Sequence, residues 1–395
     1  MTDLAGPDVP SRAQGPGGRL GLPVLVAFTR RAGPALLGFA AIRLLGVVVL
    51  ALWDGDERKD ALHLLSGRWD SVWYASIAEH GYGRTVVAED GGVHSDLAFF
   101  PLLPWLERAV SAVSPLSAGE AGLVVSAVAS LAAAAGLFAL GELLHGRRAG
   151  TLLALLWAAV PVGIVQSMAY TESLFTALAA WALYALLTGR WVAAGVLSAA
   201  SGLSRPAGLA VAAAIAAAAV VDRLGDPERR RIPLGPLWAV VLAPSGWAAY
   251  VLWVGARSGQ PLGYLDVQGG WGNGFDGGLG FARFIAEKFT DGAPLAGVGL
   301  CAGVALLAWV CLLLVRLRPP LPLLVYTAVL VLLAVCAAGY FGSKPRLLLP
   351  AFPLLLPAAV ALAGARRPAA AVTVGVAAVG ASVYGALWLT GSGPP

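Results

Sequence analysis

Long apolar runs recur along most of this chain, and they restrict its fold more than any other feature of the sequence. Several of them approach ~20 residues, the length at which an α-helix crosses the hydrocarbon core of a bilayer. Hydrophobic residues make up 58% and charged residues 12% of the 395 positions, whereas a soluble protein has about 25% charged residues. The sequence therefore predicts an all-α, polytopic membrane protein and excludes a soluble globular one.

Charged and proline-containing breaks divide the apolar runs into eleven predicted spans. The run 191–221 is interrupted at Ser204-Arg205-Pro206, and it is long for one helix and short for two. The basic segment 222–231 favours two short spans with Arg205 at the outer turn, because one kinked helix would place that segment outside, against the positive-inside rule. The predicted spans are 33–53, 121–144, 151–166, 174–187, 191–221 counted twice, 236–254, 296–315, 321–340, 347–363 and 369–389.

Basic residues near the ends of the spans predict the orientation of the chain. Arg30 and Arg31 precede the first span, which places the N-terminus in the cytoplasm. Residues 1–28 are rich in Gly, Pro and polar residues and predict a disordered cytoplasmic tail without the apolar core of a cleavable signal. Residues 29–395 are predicted to form a single transmembrane domain. The Ala/Gly/Leu-rich composition is typical of bacteria with GC-rich genomes, so we expect a multi-pass bacterial plasma-membrane protein.

Cysteine and histidine spacing gives no sign of a metal site or a disulfide framework. Cys301, Cys311 and Cys336 lie inside apolar runs, where buried thiols behave as small apolar residues. The net charge of +5 comes from basic residues at the ends of spans, so we expect no nucleic-acid partner. The sequence implies no cofactor, and a divalent metal stays an open alternative.

The stretch from Arg68 to Gly83 is the most unusual polar segment, and it falls outside in this topology. Residues 71–80 predict a short amphipathic helix along the membrane surface, with Trp73 and Ile77 on one face. Asp70 stands where an N-cap residue is expected, and Gly81 stands where a C′ glycine is expected.

A second interfacial helix is predicted at 101–113, because Pro101 suits a first helical turn while Glu107 and Arg108 interrupt an apolar span. The predicted outer segment 256–293 is rich in Gly and aromatic residues, and residues 281–289 predict a further interfacial helix. No role for this segment follows from its sequence.

Most of the unusual charged residues gather on the predicted outer side. A charge near the membrane centre costs about 2.5 to 3.5 kcal/mol, so such residues are usually functional or paired. Carboxylates beside arginines suggest a base next to an anion site, and the two-pronged guanidinium geometry suits a phosphate. These residues are Asp70, Asp96, Glu172, Arg205, Lys344 and Arg346.

Structural roles are an alternative for each of these residues. Asp70 can be only an N-cap, and Glu172 can only favour the positive end of a helix. Arg205 can snorkel to the interface, while Lys344 and Arg346 can be interface anchors on the side that the positive-inside rule disfavours. Arg43, within the first span, either pairs with an acid or snorkels.

Five motifs in sequence order resemble the PIG-V family of GPI mannosyltransferases and their bacterial relatives. The resemblance covers about residues 34–360 and leaves out the N-terminal tail and the outer segment 256–293. The motifs are Arg68-Trp69-Asp70-Ser71-Val72-Trp73-Tyr74 with Gly81-Tyr82, Phe99-Phe100-Pro101-Leu102, Tyr170-Thr171-Glu172-Ser173-Leu174-Phe175, Ser204-Arg205-Pro206 with Gly208, and Pro345-Arg346 with Pro350-Ala351-Phe352-Pro353, where Leu347 replaces the usual aromatic residue.

This resemblance implies a GT-C membrane glycosyltransferase that uses a lipid-phosphate sugar, by family analogy mannose, and works outside the cytoplasm. It implies that Asp70 is the catalytic base. A bacterial chain would act on a glycan or glycolipid acceptor other than a GPI anchor.

Inverting sugar transfer needs one carboxylate to take the acceptor proton and cations to stabilise the leaving phosphate. We therefore predict Asp70 as the base. Glu172 is predicted as a second catalytic residue, whose carboxylate orients the acceptor or Asp70. The predicted substrate-binding residues are Arg68, Trp69, Tyr74, Asp96, Arg205, Lys344 and Arg346. The alternatives are a transporter or flippase of a lipid-linked sugar, which would favour internal repeats and charges at mid-depth, and a non-catalytic scaffold.

Overall fold

A computed structural model of the chain describes residues 22–53, 61–87, 91–225, 234–391 and 393. The fold is almost entirely helical, as predicted. The α-helices are α1 (Leu22–Trp53), α2 (Ala61–Ser66), α3 (Asp70–His80), α4 (Leu102–Ser111), α5 (Ala118–His145), α6 (Arg147–Ala158), α7 (Thr171–Leu187), α8 (Trp191–Gly202), α9 (Gly208–Leu224), α10 (Leu234–Leu242), α11 (Ser245–Ser258), α12 (Gly263–Gly270), α13 (Leu279–Thr290), α14 (Pro294–Leu317), α15 (Leu321–Cys336), α16 (Lys344–Leu347), α17 (Leu356–Gly364) and α18 (Arg367–Thr390). Short 3₁₀ helices span Asp96–Ala98, Pro161–Ser167, Phe341–Ser343 and Phe352–Leu355.

Five helical stretches within these ranges are long and apolar enough to cross a membrane, and the number rises to seven if each of two bent helix pairs is one span. Three shorter apolar helices, α7, α8 and α15, add to the apolar mass of the bundle. The chain is therefore a multi-pass membrane protein, and the predicted number of eleven spans stays a prediction. The five stretches are Val26–Trp53, Ala118–His145, Leu234–Ser258, Pro294–Leu317 and Arg367–Thr390.

The first helix begins earlier than predicted. α1 starts at Leu22, so residues 22–28, assigned from sequence to a disordered tail, are helical. Apolar residues and Pro23 in the first turn favour a helix start here. The rest of the predicted tail, residues 1–21, lies outside the described residues.

Sharp bends between helices occur within one predicted span and at the start of another. The predicted span 151–166 breaks between α6 and the 3₁₀ helix Pro161–Ser167, with a bend of 86°, and the predicted span 347–363 follows a bend of 73° between residues 341–347 and 352–364. Proline explains both breaks, since Pro161, Pro350 and Pro353 lack the N–H that would continue a helix.

The first of these breaks explains the position of Arg43 in an apolar helix. Among the described residues Arg43 has no acidic partner, and it does not snorkel. Its guanidinium is buried within the bundle and donates hydrogen bonds to the backbone carbonyls of Ala158 and Gly163. A bend leaves helix carbonyls without their usual partners. Arg43 therefore satisfies the carbonyl groups that the bend in the neighbouring segment exposes.

Residues 203–207 separate α8 from α9, which answers the question left open by the run 191–221 in favour of two helices. The helices predicted at 101–113 and 281–289 are α4 and α13. Glu107 was one reason to predict a surface position for α4, but it is fully buried against α5.

A two-stranded antiparallel ribbon departs from the all-α prediction. Strands β1 (Thr85–Val87) and β2 (Val93–Ser95) pair with Thr85 opposite Ser95. β-Branched residues favour strands, but runs of three residues are too short to give a period in the sequence. The ribbon follows α3 and leads into the 3₁₀ helix that contains Asp96.

One large apolar cluster joins most of the helices, and a smaller one fixes the outer-loop helices to it. The smaller cluster packs Tyr74 and Ile77 of α3 and Leu103 of α4 against Ala129 of α5 and Leu174 of α7. This packing places the start of α3 beside the start of α7, where Asp70 and Glu172 lie.

Candidate functional site

Asp70 is the first residue of α3, and its carboxylate binds an arginine instead of capping the helix. Oδ2 of Asp70 lies 2.8 Å from Nη1 of Arg346, and no side-chain hydrogen bond caps α3. The N-cap alternative for Asp70 is therefore wrong. Gly81, with φ of 77°, does end the helix as predicted.

The residue before Asp70 has an unusual backbone conformation. Trp69 has φ of 53° and ψ of −123°, which non-glycine residues seldom adopt because of contacts with Cβ. Such residues cluster at functional sites, where the surrounding structure compensates for the strain.

Glu172, in the first turn of α7, joins two arginines from distant parts of the chain. Its Oε1 lies 3.0 Å from Nη1 of Arg205, between α8 and α9, and 3.4 Å from Nε of Arg346, in α16. The Glu172 side chain is 2% exposed, whereas 28% of the Asp70 side chain is exposed. The order Asp70, Arg346, Glu172, Arg205 therefore runs from an accessible carboxylate to a buried one, with an arginine after each.

The arginines lie at ion-pair distance from these carboxylates without well-aligned hydrogen bonds. Arg205 Nη1, Arg346 Nε and Arg346 Nη1 are buried and have no hydrogen-bond partner of normal geometry among the described residues. Both observations hold, because charge attraction depends mainly on distance while a hydrogen bond also needs alignment. Charge attraction to Asp70 and Glu172 therefore holds these guanidinium groups in place.

Two tyrosines and a threonine surround the first ion pair. The Arg346 guanidinium carbon lies 5.0 Å from the centre of the Tyr170 ring, and the backbone N–H of Asp70 donates to the Tyr170 hydroxyl at 3.4 Å. The Tyr74 hydroxyl lies 3.4 Å from that of Thr171. Burial, and then the charge of Asp70, raise the pKa of Tyr74 and of Tyr170, so both phenols stay protonated at neutral pH.

Part of this cluster of ion pairs and hydroxyl groups lines a cavity of about 320 Å³. Five of the predicted site residues line it: Asp70, Tyr74, Arg205, Lys344 and Arg346. Four do not: Arg68, Trp69, Asp96 and Glu172. Glu172 instead lies behind the arginines, so it can orient Arg205 and Arg346, and the predicted direct contact with the acceptor has no geometric basis.

Lys344 lines the cavity, but its ammonium is occupied by backbone carbonyls. Nζ donates to the carbonyls of Ala334 at 2.7 Å and Ala337 at 2.9 Å, and it lies 4.7 Å from the centre of the Phe281 ring. It caps the C-terminus of α15, a position that favours a cation. Lys344 therefore contributes charge to the cavity while its hydrogen bonds serve the fold.

Arg68 and Asp96 have structural contacts outside the cavity. Nη1 of Arg68 donates to the carbonyl of Leu389 at 2.8 Å, near the end of α18, and its guanidinium stacks on Trp69. Oδ2 of Asp96 accepts the backbone N–H groups of Gly83 and Arg84 at 2.8 Å each. These contacts explain the polar motif without substrate, because the side chains fix the loop that presents Asp70.

Sequence reasoning missed the opposite wall of the cavity. Gln268, Trp271 and Asn273 line it and come from the outer segment that the family resemblance does not cover. The only signal in the sequence was the unusual Gly and aromatic content of residues 256–293. Thr171 and Ser204, beside Glu172 and Arg205 in their motifs, also line the cavity.

Nothing in the described ranges brings three His, Cys, Asp or Glu side chains together as a metal site. The predicted independence from cofactors and metals stays a prediction.

Comparison with known proteins supports the fold. Residues 96–250 match a family described as dolichyl-phosphate-mannose-protein mannosyltransferase, and no curated protein matches the chain. The structure of ArnT from Cupriavidus metallidurans bound to undecaprenyl phosphate is similar, with a TM-score of 0.53 and 14% identity over 87% of this chain and 62% of ArnT.

The apo structure of ArnT gives a TM-score of 0.53 at 15% identity, over 85% of this chain and 61% of that one. The archaeal oligosaccharyltransferase AglB from Archaeoglobus fulgidus gives 0.49 at 15% identity, over 91% and 56%. The chain thus spans about three fifths of the length of ArnT.

The matched family is not PIG-V, so that finer assignment stays a prediction. The fold prediction is confirmed: this chain is a predominantly helical membrane protein with a fold similar to that of ArnT.

Proposed function

We propose that this chain is a membrane glycosyltransferase that moves a sugar, by family analogy mannose, from a polyprenyl-phosphate donor to an extracytoplasmic glycan or glycolipid. The observation that supports it most directly is the accessible carboxylate of Asp70, 2.8 Å from Arg346 at a cavity that Arg205 also lines. The description of the matched family names a lipid-phosphate sugar, and ArnT was solved with undecaprenyl phosphate bound.

Asp70 acts as general base in this proposal. Its carboxylate takes the proton of an acceptor hydroxyl while that oxygen attacks the anomeric carbon from the face opposite the phosphate. The bond between the anomeric carbon and the phosphate oxygen breaks, and the electron pair stays on the phosphate. The products are an inverted glycoside, a polyprenyl phosphate and protonated Asp70, which later loses its proton to water.

The charges around the cavity match a donor with one phosphate. Arg205, Lys344 and Arg346 contribute three positive charges, while Asp70 and the underlying Glu172 contribute two negative ones. The remaining positive charge balances the single negative charge of a phosphodiester. When the phosphodiester becomes a monoester, negative charge grows next to the arginines, which is where electrostatic stabilisation lowers a barrier.

Asp70 and the donor phosphate both need Arg346. Without donor, Arg346 lies at ion-pair distance from Asp70. A phosphate that binds Arg346 in a two-pronged manner would draw it away from Asp70. The carboxylate is then free of this ion pair and can contact the acceptor hydroxyl.

Glu172 is a positioning residue in this scheme. It touches both arginines from behind and has no surface in the cavity. We further propose that the N-terminus lies in the cytoplasm and that the cavity faces the other side of a bacterial plasma membrane, as the distribution of basic residues predicts.

The test is transfer of labelled mannose from polyprenyl-phosphate-mannose by purified protein. We expect Asp70→Asn to fold and bind donor yet lose roughly 10²–10⁴-fold in rate, because an amide cannot accept the proton. Transfer in detergent solution would also exclude the flippase alternative, since no membrane separates the two sides.

Asp96→Asn is the matched control, because Asp96 is a buried carboxylate of the same loop whose hydrogen bonds, within the described part of the chain, come from backbone N–H groups. We expect it to keep transfer within a few-fold of the wild type. Normal transfer by folded Asp70→Asn would refute Asp70 as the base.

A further inference from the structure

The cavity has a second polar wall that carries no charge. Gln268 of α12 and Asn273, three residues after α12 ends, line it together with Trp271. Among the described residues that line the cavity, Asp70 is the only carboxylate, and it is paired with Arg346. The cavity thus contains uncharged amide groups as well as three cations.

A hydrogen-bond network fixes the two amides. Nε2 of Gln268 donates to the Tyr264 hydroxyl at 2.8 Å and to the Ala98 carbonyl at 3.3 Å. Oε1 of Gln268 accepts from Nδ2 of Asn273 at 2.9 Å. These bonds use both hydrogens of the Gln268 amide, whereas Asn273 keeps its carbonyl oxygen and one N–H for a ligand within the described part of the chain.

Trp271 forms an aromatic surface beside these amides. Its Nε1 donates to the Ser95 carbonyl at 2.9 Å, and its ring stacks on His94 with centroids 4.2 Å apart. Trp73 and Phe99 contact it edge-on. A rigid ring next to a few oriented polar groups is typical of a site for a small polar molecule with apolar faces, which describes a sugar ring.

The amide wall contacts the C-terminal end of α15, which Lys344 also contacts. The backbone N–H of Ala338 donates to the carbonyl of Gly274 at 2.8 Å, next to Asn273, and that of Asp276 donates to the carbonyl of Cys336 at 3.2 Å. Lys344 caps the same end of α15. Residues 273–276 therefore have a fixed position relative to α16, which carries Arg346.

We propose that Gln268, Trp271 and Asn273 bind the sugar ring of the donor and disfavour a sugar that carries a positive charge, an inference that rests on the proposed function. The sugar is bonded directly to the phosphate, so it must lie next to the arginines and inside the same cavity. The wall offers hydroxyl groups both a donor and an acceptor. It offers no free carboxylate to the ammonium group of an amino sugar.

The test compares donor kinetics of Asn273→Ala and Gln268→Ala with those of the wild type. Asn273→Ala loses hydrogen bonds to sugar hydroxyls, and Gln268→Ala loses the hydrogen bond that orients Asn273. We therefore expect the KM for polyprenyl-phosphate-mannose to rise about tenfold per bond lost. Inhibition by polyprenyl phosphate, which lacks the sugar, should be unchanged. Gln260→Ala is the matched control, because Gln260 is an exposed glutamine of the same segment that does not line the cavity.

Equal loss of affinity for polyprenyl phosphate would overturn the inference, because the wall would then serve the lipid phosphate or the fold. A rise in the acceptor KM alone would overturn it in favour of an acceptor site. Wild-type protein that transfers no sugar would refute the proposed function and this inference together, whereas a wild type that transfers and an Asn273→Ala variant with unchanged donor KM would refute the inference alone.

The choice of sugar gives a second readout. On the same lipid phosphate, we expect the wild type to use a neutral hexose at least tenfold better than an amino sugar. Equal use of both sugars would contradict selection by an uncharged wall.

Discussion

Two buried glutamates, on helices that both pack against α5, have opposite environments. Glu172 is 2% exposed and lies within 3.4 Å of two arginines. Glu107, in α4, is 0% exposed, and neither carboxylate oxygen has a hydrogen-bond partner among the described residues. Burial, and then the charge of Glu79, raise the pKa of Glu107 to about 9.

The difference separates a charged residue that serves a site from an uncharged one that serves packing. Two cations keep a buried carboxylate ionised, whereas burial without a cation favours the protonated acid. Glu107 lies directly against α5, where a Cβ on Gly122 would come within 2.5 Å of Oε1. It therefore fills space between α4 and α5 as a neutral group at physiological pH.

Glu172→Gln should have the largest effect on this contrast. Removing one partner from a buried ion pair leaves uncompensated charge and costs about 3–5 kcal/mol, and here two arginines lose their carboxylate. We expect a large fall in the thermal midpoint of the detergent-solubilised protein and loss of sugar transfer. The same substitution at Glu107 is the control, and equal falls in both variants would contradict the comparison.

Arg346→Lys should have an intermediate effect. The charge beside Glu172 and Asp70 is kept, but an ammonium cannot bind a phosphate with two parallel N–H groups. We expect the donor KM to rise on the order of tenfold, which corresponds to about 1.4 kcal/mol, with the thermal midpoint nearly unchanged. Unchanged donor affinity in Arg346→Ala would remove this residue from the phosphate site.

Glu107→Gln should have the smallest effect on sugar transfer, and it should change stability only at higher pH. Between its ordinary pKa of 4.5 and the raised pKa of about 9, the folded chain keeps a proton on Glu107 that the unfolded chain has released. Stability therefore falls as the pH rises through this window. A neutral amide removes that dependence, so the variant should gain thermal stability over the wild type at pH 8 but little at pH 5.

Thermal midpoints measured by light scattering or intrinsic fluorescence at both pH values would check this expectation. A wild type and a Glu107→Gln variant with the same pH dependence would mean that Glu107 is ionised in the fold.

Sequence patterns predicted the helical membrane fold and the residues of the ion-pair chain, but not which carboxylate each arginine contacts. Asp70, Glu172, Arg205 and Arg346 lie in separate motifs on the same predicted side, which is enough to expect them near one another. Their pairing depends on helix positions that no local period determines.

The two glutamates show the limit of local reading most clearly. Glu107 is next to Arg108 in sequence, which suggests a partner, yet consecutive helix residues point in different directions and Arg108 is exposed. The residues 268–273 gave no periodic or family signal, because their position depends on backbone contacts with the end of α15, 60 or more residues later.

The contacts of Arg43 determine when α1 becomes fully stabilised during synthesis of the chain. Its carbonyl partners at Ala158 and Gly163 are 115 and 120 residues further along the chain. A nascent chain that has delivered α1 but not α6 to the bilayer therefore has an arginine inside an apolar helix, at a cost of about 2.5–3.5 kcal/mol near mid-depth, before the groups that satisfy it have been synthesised. α1 thus reaches its final energy only after α6 and the bend that follows it have entered the membrane.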